Sequence, residues 1–148
     1  MLSTRFSKWM ASCCLAVLIA LYVVGAVSHG SLRHEVQTLP LWIPIVLGFR
    51  GRDIAKWWAM PCLLFWLGIM AMIWAFLLGW PSPFSGHFSA VEVAMTIVVG
   101  VASAVGIWAG FRWHAKVGWP AGVSAVVLAT VFQVAALRVS FLPNVADR

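Results

Sequence analysis

Hydrophobic positions in this chain do not alternate with polar ones at a helical or strand period. They form long unbroken runs separated by short polar stretches. Four runs reach the roughly 20 residues that a helix needs to cross a bilayer: Trp9 to Val27, Trp57 to Trp80, Ala90 to Phe111 and Val117 to Leu137. The expected fold class is therefore all-α, an integral membrane helical bundle, with residues 1–148 forming a single multi-pass domain. The first run follows Arg5 and Lys8 and ends in small residues, as a cleaved signal peptide would, but it exceeds the usual apolar core of about 7–15 residues.

A fifth segment, Val36 to Phe49, reads "VQTLPLWIPIVLGF". As a helix it would extend only about 21 Å, short of a hydrocarbon core of about 30 Å. Pro40 and Pro44 each remove a backbone donor, a loss that membrane helices tolerate when neighbours make it good. If the helix starts near Ser31, the turn "LRHEVQT" completes a crossing over residues 31–49; otherwise the segment is re-entrant. The basic residues favour crossing. Five spans put Arg5, Lys8, Arg50, Arg52, Lys56, Arg112 and Lys116 inside and Arg33, Arg138 and Arg148 outside. The best four-span arrangement moves Arg5 and Lys8 outside and Arg33 inside, a weaker positive-inside bias. The N-terminus is then cytoplasmic.

Composition agrees with a bilayer as solvent. The chain is 63% hydrophobic and 9% charged, against about 25% charged in soluble domains. A net charge of +6 does not indicate nucleic acid, because the cations cluster at the ends of apolar runs, where they meet anionic headgroups. Trp9, Trp57, Trp58, Trp113 and Trp119 are expected at the inner interface and Trp80 at the outer one. Trp66, Met70 and Trp74 share a helical face and read as a packing or lipid-facing stripe. Cys13, Cys14 and Cys62 lie within apolar runs and read as small buried hydrophobes.

Small residues predict packing. Gly100, Ser103, Gly106 and Gly110 on one run, and Gly118 and Gly122 on the next, include two GxxxG patterns, "GIWAG" and "GWPAG". Such stripes let helix backbones approach closely in lipid, and the two runs are expected to pair as an antiparallel hairpin around "RWHAK".

Few residues carry chemistry. Glu92 lies at the start of a span, on one face with Thr96 and Gly100, and is either an intramembrane ionisable group or an interfacial carboxylate favoured by the helix dipole. Gln133 continues the Ala125–Ala129 face and suits an interhelical hydrogen bond. With five spans, His29, Arg33, His34, Glu35, Gln37, His87, Glu92 and Gln133 gather at the outer face as a candidate ligand-binding cluster. His29, His34, Glu35 and His87 are its candidate metal ligands. Trp42 and Phe88 nearby would suit a quinone or a lipid headgroup. With four spans the cluster falls apart. The histidines of "HGSLRHE" are five apart, a spacing that a helix turns away from one face, and the helical HExxH pattern is absent. No mid-membrane histidine pair, GxSxG, P-loop or dinucleotide fingerprint occurs, and Asp53 in "RGRD" suits the N-cap of the next helix.

The sequence names no cofactor and no catalytic residue, and leaves enzymatic activity open. The expected partners are the lipid bilayer and a membrane protein or second copy of the chain, with no nucleic acid. The expected location is a bacterial inner membrane. The leading functional expectation is a non-enzymatic accessory or assembly subunit. Next comes a redox or metal-dependent membrane enzyme, or a quinone- or lipid-binding subunit, with its site at the outer face. Third is a small proton-coupled transporter using Glu92 and Gln133.

Overall fold

The computed structural model describes residues 2–28, 30–81, 87–142 and 145. Among them there are five helices and no strands: α1 (Leu2–Val27), α2 (Ser31–Phe49), α3 (Ile54–Leu77), α4 (Ala90–Arg112) and α5 (Trp119–Ser140). Their ends follow from local chemistry. Ser89 caps α4, and Pro120 opens α5, where a missing N–H costs nothing. After α2 and α3, Gly51 and Gly79 take positive φ. There Arg52 N–H bonds Leu47 carbonyl and Trp80 N–H bonds Ala75 carbonyl, closing the last turn on glycine.

Four helices, α1, α3, α4 and α5, are long and apolar enough to cross a membrane. The expected fifth span is not among them. Residues 31–49 form one continuous helix through Pro40 and Pro44, extending about 28 Å, but Ser31, Arg33, His34, Glu35, Gln37 and Thr38 lower its hydropathy. The outer surface of the bundle is apolar, with Ile19, Leu64, Val101, Leu128 and Val131 all more than half exposed. That is the arrangement a bilayer requires and water penalises.

The helices form a ring in the order α1, α2, α5, α3, α4 and back to α1, and α3 touches each of the other four. Its inward face, Ala59, Cys62, Leu63, Trp66 and Met70, meets Met10, Cys14 and Val17 of α1 in the core. Cys14 and Cys62 are buried, as small hydrophobes should be, and Trp66 and Met70 face inward while Trp74 is half-buried.

The expected α4–α5 hairpin does not form: among the described residues these helices make no contact, because α3 lies between them. Gly106 and Gly110 instead admit Leu63 and Cys13, and Met10 and Met60, from α1 and α3. Gly122 lies under the Trp57 ring, and Gly118 meets only Pro120. Close approach at a small residue depends on what faces it, and a GxxxG spelling does not name its partner. Asp53 also departs from expectation. It occupies the N-cap position of α3 without capping it; its carboxylate accepts Lys116 N–H at 2.8 Å. Trp113, expected at the interface, is 1% exposed, and its carbonyl accepts Lys56 Nζ at 2.6 Å. These two bonds clamp the α2–α3 turn to the α4–α5 turn.

α2 runs antiparallel to α1 along nearly its full length. Ser7 Oγ donates to Gly48 carbonyl at 2.6 Å at one end, and His34 lies against Gly25 at the other. One proline gap is closed by a neighbouring helix. Pro44 has no N–H to offer Pro40 carbonyl, and Trp58 Nε1 of α3 donates to that carbonyl at 3.3 Å.

A Cβ at Gly48 would lie 2.8 Å from Ala11 Cβ and 3.1 Å from Ser7 carbonyl, neither of which is a flexible tip. Gly48→Ala should therefore destabilise the protein by about 1–3 kcal/mol. At Gly68 nothing lies within 4 Å, and Gly68→Ala should stabilise by about 0.5–1 kcal/mol. Unfolding by denaturant in mixed micelles reads both; equal effects would contradict the α1–α2 packing.

Candidate functional site

The end of the bundle holding the α2 N-terminus collects the ends of α1 and α5 and the start of α4. Gly25 of α1 touches His34, and Glu92 of α4 is within electrostatic reach of His34. Arg33 places its guanidinium 4.3 Å from the centroid of the Phe141 ring, just past α5. This cation–π contact ties the start of α2 to the end of α5.

The most buried part of this end is a chain of polar groups between α2 and α5. Gln37 Nε2 donates to Ser140 Oγ at 2.9 Å, and Ser140 Oγ donates to Leu137 carbonyl at 2.6 Å. Gln133 Nε2 donates to Gln37 carbonyl at 3.2 Å. Gln133 and Ser140 are 1% and 0% exposed, so these bonds form in a low-dielectric interior where an unmade bond is costly. Ser140 was not among the residues singled out from the sequence. Its signal was present: Ala129, Gln133, Ala136 and Ser140 lie on one helical stripe, all buried.

Glu92 has a local role. Ser89 N–H donates to Glu92 Oε2 at 2.7 Å and Glu92 N–H to Ser89 Oγ at 3.2 Å, a reciprocal capping box that satisfies two orphan donors and places negative charge at the positive end of α4. Thr96, one turn on, donates to Val93 carbonyl at 2.7 Å.

The other candidates spread out. Glu35 is exposed and offers its main-chain carbonyl to Thr38 Oγ1. His87 is exposed, and His29 lies outside the described residues. Among the described residues no three His, Cys, Asp or Glu side chains are close enough together to hold a metal ion. Trp42 is exposed and Phe88 half-buried, its ring 5.9 Å from that of Phe76. Among the described residues, three buried polar atoms at this end have no hydrogen-bond partner: Arg33 Nε, His34 Nδ1 and Gln133 Oε1.

The arrangement can therefore hold helices in register and offer a few unmatched polar atoms. Compared with known proteins, the chain matches no family model, no curated protein and no solved structure.

A double-mutant cycle on Gln37→Leu and Ser140→Ala, the directly bonded pair, should return a coupling of about 0.6 kcal/mol, and no more than about 2 kcal/mol. Denaturant unfolding in micelles measures it. Strict additivity would mean that the chain of bonds through Gln37 does not act as a unit.

Proposed function

We propose that this protein is a non-enzymatic membrane subunit that supports the assembly of a larger membrane complex. The observation that carries this reading is the use made of its polar residues. Gln37, Gln133 and Ser140 join α2 to α5, and Glu92 caps α4, so the groups suited to a reactive site serve helix packing. The large apolar exterior supplies surface for lipid and for other spans.

The reading includes five crossings with the N-terminus in the cytoplasm of a bacterial inner membrane. α1 ends at one end of the bundle and α3 starts at the other, as the Gly25–His34 and Ser7–Gly48 contacts indicate. If α1 and α3 both cross, the chain between them must traverse the bilayer too. α2 does so behind α1, α3 and α5, which cover Gln37 and Thr38. A polar helix sheltered in this way needs no hydropathy of its own.

Three partnerless buried atoms favour a second reading, a ligand-binding subunit with its site at the outer face. Arg33 Nε and His34 Nδ1 would then donate to a polar head such as a quinone carbonyl, and Gln133 Oε1 would accept from a quinol hydroxyl. Metal chemistry on His29, His34, Glu35 and His87 belongs to this reading. The carrier reading needs Glu92 as a proton site, and that carboxylate is engaged with Ser89.

Topology is tested with single cysteines at Ser31, Arg52 and His87 in a chain whose Cys13, Cys14 and Cys62 are Ala. An impermeant thiol reagent should label positions 31 and 87 in intact cells and position 52 only after permeabilisation. Labelling of 31 and 52 from the same side would remove the fifth crossing. For the subunit reading, a photo-crosslinking residue at Leu128 should yield one discrete adduct in cells. Loss of this protein should also lower the abundance of the adduct's partner. A chain that purifies alone, with no adduct at any lipid-facing position, would refute that role. Bound metal or quinone, lost in His34→Ala, would move the assignment to the second reading.

A further inference from the structure

On the outside of the bundle, α1 and α4 leave an open trough of about 480 Å³, with Ser12, Cys13 and Ala16 on one wall and Val98, Val101 and Val105 on the other. Its exposed lining is apolar. The cause is local: Gly106 draws α4 onto Cys13, while the small side chains of Ser12, Ala16 and Ala102 leave space outside that contact. Toward the α1 N-terminus the same two helices frame a second hollow of about 260 Å³, lined by Arg5, Phe6, Trp9 and Trp108.

The two hollows lie one after the other along the same pair of helix faces. Arg5, Trp9, Ser12 and Ala16 follow one face of α1, and Trp108, Val105, Val101 and Val98 one face of α4. From Ile97 to Trp108 α4 rises about 16 Å, one leaflet's share of a hydrocarbon core of about 30 Å. The charges beside the groove are basic. Arg5 and Arg112 are exposed, and the Arg112 guanidinium lies 5.4 Å from the centroid of the Trp108 ring that Arg5 also flanks. Asp53, at the same end, already binds Lys116 N–H.

We propose that this groove binds one anionic phospholipid from the leaflet at the α1 N-terminus. An acyl chain lies along Ala16, Val98, Val101 and Val105, and the phosphate sits between Arg5 and Arg112. Trp9 and Trp108, each about half exposed (54% and 50%), flank the glycerol region, where indole rings prefer to sit. Two fixed cations at the mouth of an apolar channel match a lipid carrying net negative charge, and a zwitterionic lipid leaves them incompletely paired. The inference depends on bilayer embedding and not on the subunit role.

The test is native mass spectrometry of the purified full-length protein, released from detergent in the presence of phosphatidylglycerol or phosphatidylcholine of equal chain length. One phosphatidylglycerol should be retained in preference to phosphatidylcholine. The double variant Arg5→Gln/Arg112→Gln should lower its apparent affinity roughly thirtyfold, two cations at about 1 kcal/mol each. Arg50→Gln/Arg52→Gln, which removes two cations from the same end but outside the groove, should leave it unchanged. Ala16→Leu/Ala102→Leu should abolish retention with both arginines intact, which a site for free phosphate alone would not do. Circular dichroism confirms that each variant is folded. Equal retention of the two lipids, equal loss in the Arg50/Arg52 pair, or a second copy of the chain in the groove would overturn the proposal.

Discussion

The structure depends on covering α2. A helix that carries Arg33, His34, Glu35, Gln37 and Thr38 in its first turns and two prolines beyond them brings polar groups and an interrupted hydrogen-bond ladder into an apolar bundle, where each buried group left unsatisfied costs several kcal/mol. α1 covers it along its length, α3 covers the proline region and α5 the polar end. Each contact answers a specific need. Ser7 meets the carbonyl at Gly48, Trp58 meets the carbonyl that Pro44 leaves open, and Gln133 and Ser140 meet Gln37.

That requirement also organises the helices that do not touch α2. With α5 held on α2 and α4 held on α1, α3 fills the space between α4 and α5 and touches every other helix. The stripe of Gly106 and Gly110 is then filled by Leu63, Met60, Cys13 and Met10. The turns at the α1 N-terminal end are joined by Lys56 to Trp113 and Asp53 to Lys116. Both bonds use main-chain groups of an irregular segment, which has such groups to spare because it lies outside any helix.

The two ends of the bundle differ in character. At the α2 N-terminal end, Gln37, Gln133 and Ser140 turn inward and bond across α2 and α5. At the other end, Arg5, Arg50, Arg52 and Arg112 remain exposed around Trp9, Trp108 and Trp119. An inward polar end stabilises helix register; an outward basic and aromatic end is available to headgroups.

The helical class, the four long apolar helices and the membrane environment were legible in the sequence, because run length and composition alone decide whether a helix suits a bilayer. The inward direction of Gln133 was legible from its place on the Ala125–Ala129 stripe, and the helix-dipole role of Glu92 from its place at the start of a span; the reciprocal bonds with Ser89 came from the structure. Tertiary structure alone decided who meets whom. The partner of Gly106, the engagement of Asp53 by Lys116 and the joining of Gln37 to Ser140 each depend on residues 43 or more positions away. Local spacing constrains the face a residue occupies; it carries no information about which other face is packed against it.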